Sequence, residues 1–161
     1  MTQENIPDAA RPLDDSLFHM WRCLIAVIMS DGVYHPSERK FLDNAIAALE
    51  RACVVKHEQK LAFFDDLKNP KNVDELLAHV TDPLHRALLP YFGQYITMID
   101  GRKDPKERTF VHQLQAKVRD PVVSQLSADI DAAISAGRAQ NNLRFKLADF
   151  LLDRLGIGPL E

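Results

Sequence analysis

Apolar residues recur along the chain at three- and four-residue spacing, the period of amphipathic helices. Leu17, Trp21, Leu24, Ile25 and Ile28 form a first stripe, and Phe41, Leu42, Ala45, Ile46 and Leu49 a second. A shorter helix is expected from about 56 to 67, with Leu61, Phe64 and Leu67 inward. The loop "KNPKN" separates it from another short helix, "VDELLAHV". The next helix runs from Pro83 toward Asp100, and Pro90 inside it predicts a kink or break. Phe110, Val111, Leu114 and Val118 make one further stripe, and Val122, Leu126, Ile130 and Ile134 another. "SAGR" at 135–138 predicts a break before a last helix over about 139–155, carrying Leu143, Leu147, Phe150, Leu151 and Leu155.

Helix boundaries are marked by their own chemistry. Asp14, Asp15 and Ser16 are good N-caps for the first helix. Prolines 36, 83, 105 and 121 each suit the first turn of a helix. No segment alternates as a strand hairpin would. The expectation is all-α: a compact bundle of seven to eight helices. Residues 1–13 read as a flexible lead-in, 14–135 as the helical domain, and 136–161 as a C-terminal helix. That last helix either packs on the same domain or docks on a partner.

One helix–turn–helix pattern occurs twice. "MSDGVYHPSERKF" at 29–41 aligns with "MIDGRKDPKERTF" at 98–110 after a shift of 69 residues. Met29, Asp31, Gly32, Pro36, Glu38, Arg39 and Phe41 fall on Met98, Asp100, Gly101, Pro105, Glu107, Arg108 and Phe110. An internal pseudo-two-fold repeat of one unit explains the match. Gly32 and Gly101 suit a left-handed helix end. Asp104 caps the next helix, and Glu107 sits where a capping box needs it. In the first copy His35 takes the cap position and Glu38 the third. The aspartate before each glycine lies at a helix C-terminus, where a negative charge opposes the dipole. Turn amides, Arg39 or Arg108, or a cation could offset that cost.

Two D-G-x-x-x-P-x-E-R turns in an all-helical chain resemble the TerB-like family over roughly residues 14–118. The resemblance implies a compact pseudo-symmetric helical bundle, no shared catalytic reaction, and links to tellurite or metal stress beside membrane or signalling partners. It marks Asp31, Glu38, Asp100 and Glu107 as the acidic positions. These four carboxylates are the candidate metal ligands, suited to Ca²⁺ or Mg²⁺. His35 is a candidate extra ligand that would shift the preference toward Zn²⁺. Gly32, Pro36, Gly101, Asp104 and Pro105 are the structural residues of the turns. Capping alone is the competing account of both.

Composition narrows the function classes. The net charge of −3 supplies no basic stripe for nucleic acid. Cys23 and Cys53 form no CxxC pair and read as buried thiols. His19 lies four residues before Cys23, on the same helix face; His79 and His85 read as surface or capping residues. The N-terminal stretch lacks an apolar signal core, and the expected location is cytoplasmic. The expected function is a non-enzymatic, stress-associated module acting through protein partners, with a divalent cation at the acidic turns as an open possibility. The alternative is a metal-independent interaction domain of co-chaperone-accessory type, and the third choice is a metal-dependent hydrolase. Homo-oligomerisation stays open.

Overall fold

A computed structural model describes residues 11–99, 105–141 and 147–157, apart from the side chains at 31, 106, 107 and 139–141. The described chain is all-α. Its helices are α1 (Asp15–Ile28), α2 (Pro36–Ala52), α3 (His57–Lys68), α4 (Val73–Leu77), α5 (Pro83–Met98), α6 (Pro105–Val118), α7 (Pro121–Asn141) and α8 (Leu147–Arg154). A short 3₁₀ turn, Met29–Asp31, follows α1. Among the described residues the one extended pairing is an isolated bridge between Pro12 and Val54. It places Leu13, within the expected lead-in, in the core.

Side chains set the helix starts. The carboxylate of Asp14 accepts from the Leu17 amide, Asn72 from Asp74, Asp82 from Leu84, and Asp120 from Val123. Each satisfies an amide that has no partner inside its own helix.

α1 is the central helix. Leu24, Ile25, Val27 and Ile28 are buried along with Met20, Trp21 and Cys23, so burial extends well beyond a single stripe. A helix apolar on all sides belongs inside a domain. α5 packs along α1 and is itself covered by α6, α7 and α8. The approach of α6 to α5 is close at Gly93, where an added Cβ would stand 3.1 Å from Val111 Cγ2. α8 buries Ala148, Leu151 and Leu152 in the same core.

Four expectations are corrected. α5 runs unbroken through Pro90; packing on its neighbours holds it despite the lost amide donor. α7 continues through 135–138 to Asn141, with Gly137 inside it. α3 turns a different face inward: Leu61 and Phe64 are exposed, whereas Phe63 and Asp66 are buried. Phe63 packs on Phe18 of α1, ring centroids 5.3 Å apart, and Asp66 pairs with Arg22 of α1. Those two contacts set the rotation of α3. In α7 the buried valine is Val123, and Val122 is exposed; the Asp120 cap fixes that register.

Candidate functional site

The first repeated turn is built by short-range bonds. Ser30 Oγ donates to the Val27 carbonyl at 2.7 Å, and the Gly32 amide to Met29 at 3.0 Å. Gly32 has φ +80°, the left-handed conformation that favours glycine. His35 is extended at the N-cap of α2 and Pro36 opens the helix. Glu38 is fully buried, and its Oε1 accepts from the His35 amide at 3.1 Å. This is the carboxylate half of a capping box. Arg39 lies over the Tyr34 ring, 4.6 Å from its centroid.

The second turn is described only from Pro105 onward. Asp100, Gly101 and Asp104 lie outside the described residues, as do the side chains of Asp31 and Glu107. Of the four candidate carboxylates, Glu38 is therefore the one with a described position. The 3₁₀ turn of the first copy packs against α6, the helix that begins within the second copy. Ser30 from the first turn and Pro105, Thr109, Phe110 and Gln113 from α6 line an open depression of about 350 Å³.

His85 is buried rather than on the surface. Its Nδ1 is 2.8 Å from Ser16 Oγ, and that oxygen accepts the Asp82 amide at 3.0 Å. Asp82 Oδ2 stands 3.8 Å from His85 Nε2. A serine, a histidine and an aspartate thus meet, in an arrangement that superficially matches a nucleophilic triad. Both Ser16 and His85 are buried, and the serine oxygen is occupied by a backbone donor. The group ties the start of α1 to the start of α5. Burial lowers the His85 pKa, which favours the neutral ring. In the unfolded chain the ring protonates near pH 6.5. The folded state takes that proton only at lower pH, so stability falls as pH drops through this window. Urea midpoints from pH 8 to 5 should show the fall, and His85→Gln should flatten it.

The remaining cysteine and histidine candidates separate. Cys23 is fully buried, and desolvation pushes its thiol to about 12. It is therefore a neutral core thiol, not a partner for His19. Burial also raises the Cys53 pKa. His19 instead turns toward Asp15 and stacks on His79, with ring centroids 4.5 Å apart and planes at 23°. The Asp15–His19 spacing is visible in the sequence; the arrival of His79 from the end of α4 is not.

One groove has no counterpart in the sequence reading. It runs between α5 and α7, holds about 650 Å³, and is lined in part by Pro90, Tyr91, Gln94, Arg119 and Ser124. The Tyr91 hydroxyl is held by Asp131 and the Ser127 carbonyl. Burial and Asp131 raise its pKa well above the ordinary range, so the phenol is neutral.

No family model, curated protein or solved structure matches this chain. No described helix is long and apolar enough to cross a membrane.

Proposed function

We propose that the protein is a non-enzymatic, TerB-like stress-associated module that works by docking a partner protein on the outer face of α3. The observation that carries this reading is the exposure of Leu61 and Phe64, at 53% and 56%. They lie one turn apart and share a face. Val54, 48% exposed, lies just upstream. His57 and Lys68 continue the same helical spacing at the two ends of the pair and are exposed. An amphipathic partner helix with two apolar anchors and an acidic residue opposite Lys68 complements that pattern.

Leu61→Ser with Phe64→Ser should change unfolding free energy by less than about 1 kcal/mol, because neither side chain belongs to the core. Phe63→Ala, one position away, should cost about 3–5 kcal/mol. A photo-crosslinking residue at position 64 should capture a specific protein in cells. The purified pair should bind, and Leu61→Ser should weaken binding. Crosslinking only to a second copy of this chain would overturn the reading in favour of a homodimer.

The approach of the 3₁₀ turn to α6 favours a second reading, in which a divalent cation sits between the acidic turns. The duplication behind it draws support from Ser16 and His85. These two contacting residues are 69 positions apart, the same shift that aligns the turns. Thermal unfolding should then rise with Ca²⁺, Mg²⁺ or Zn²⁺, fall back with EDTA, and lose the response in Asp31→Ala with Asp100→Ala. A wild type indifferent to all three ions would leave the turns as caps.

A further inference from the structure

The geometry points to a surface site for a divalent transition-metal ion of the Zn²⁺ class, held by Asp15, His19 and His79. It is separate from the acidic turns and does not depend on the α3 docking reading. Each of the three residues presents one ligand atom, and those atoms lie within 4.8 Å of one another. The set is two imidazole nitrogens and one carboxylate oxygen. That donor set suits Zn²⁺ and its neighbours in the transition series better than Ca²⁺ or Mg²⁺, which take oxygen.

Several features prepare the site. Asp15 and His19 are one turn apart on α1, and His19 Nδ1 is 3.3 Å from Asp15 Oδ1. The same nitrogen lies 2.9 Å from the Asp15 carbonyl oxygen; in the tautomer that donates there, the ring is oriented and Nε2 carries the lone pair for the ion. The Phe18 ring meets the His19 ring edge-on at 5.0 Å, bracing it from the core side. His79 comes from the turn after α4, where its amide donates to Leu76 at 3.0 Å. α4 packs directly on α1, so the two imidazoles are brought together by the fold and not by chance approach of loose chains.

Around a tetrahedral Zn²⁺, ligand atoms stand roughly 3.4 Å apart, given metal–ligand distances near 2.1 Å. Closure from the observed spacing requires small side-chain rotations. Asp15 and His79 are exposed and free to make them, while largely buried His19 serves as the anchor. The stacked rings must tilt apart so that both lone pairs meet the ion. Three protein ligands leave a fourth position for water or for a side chain of another molecule.

The full-length chain, stripped with EDTA and dialysed, should be titrated with Zn²⁺ by calorimetry and with Co²⁺ by visible absorption. One ion per chain is expected, with the d–d bands of a low-coordinate Co²⁺ site. His79→Ala and Asp15→Asn should each weaken binding by about tenfold or more, since even supporting groups of metal ligands have effects of that size. Both variants should melt within a few degrees of the metal-free wild type, because both positions are exposed. His57→Ala, and Asp31→Ala with Asp100→Ala, should bind like the wild type. Absence of one-to-one binding of either ion would overturn the site, and so would wild-type affinity in His79→Ala. Loss of binding in the turn variant with retention in His79→Ala would move the ion to the acidic turns.

Discussion

Replacing Trp21 with alanine is expected to lower the unfolding free energy by about 3–5 kcal/mol, the range for a large aromatic removed from a packed core. Trp21 is 1% exposed and joins three helices. Its ring lies 5.4 Å from Phe92 of α5 and 6.2 Å from Phe41 of α2, centroid to centroid. Phe41 continues the cluster to Tyr95 at 5.2 Å. Deleting the indole leaves a void between rings that cannot all close upon it. Trp21→Phe should cost less than about 2 kcal/mol. The buried indole N–H has no hydrogen-bond partner among the described residues, so phenylalanine gives up volume but no polar bond seen there. Trp21 is the single tryptophan, so both variants should be followed by circular dichroism in urea. A loss under about 1 kcal/mol for the alanine variant, or equal losses for both, would contradict this account.

The second large effect is expected at the buried ion pair between α1 and α3. Arg22 Nε donates to Asp66 Oδ2 at 2.7 Å and Nη2 to Oδ1 at 3.0 Å, a two-point geometry. The Asp66 side chain is 2% exposed. Its hydrogen bond with Arg22 holds the guanidinium pKa above the ordinary value. Arg22→Met strands a carboxylate away from water, and such losses run to about 3–5 kcal/mol. Lys71 Nζ, 3.3 Å from Asp66 Oδ1, remains as partial compensation and places the expected cost near the lower bound, about 3 kcal/mol. Arg22→Met combined with Asp66→Leu should recover at least half of that loss, because no charge is then buried. A double variant as unstable as the sum of the two single changes would show that the residues act independently.

The same pair explains why α3 does not turn its most evident apolar stripe inward. "LAFF" offers apolar residues on adjacent positions, and local periodicity favoured Leu61 and Phe64. A buried aspartate carries no apolar signal, yet Asp66 and its partner Arg22, 44 positions away, fix the rotation. Of the kink or break expected at Pro90, the break is absent for a related reason. A missing amide weakens a helix locally, but α5 is held by α1, α6, α7 and α8 together. Nothing local marks His85 as buried, because its polar partner, Ser16, lies in a distant helix.

The amino-acid sequence by itself determined the helical class, most helix starts and the form of the first repeated turn. These depend on contacts a few residues apart: Asp14 to Leu17, Gly32 at its left-handed corner, and the His35 amide to Glu38. The tertiary structure alone decided which helix became the centre, which face α3 turned outward, and that His79 would meet Asp15 and His19. Such outcomes depend on how several amphipathic surfaces are buried at once. A single helical period records only that a face is apolar, not which neighbour will cover it.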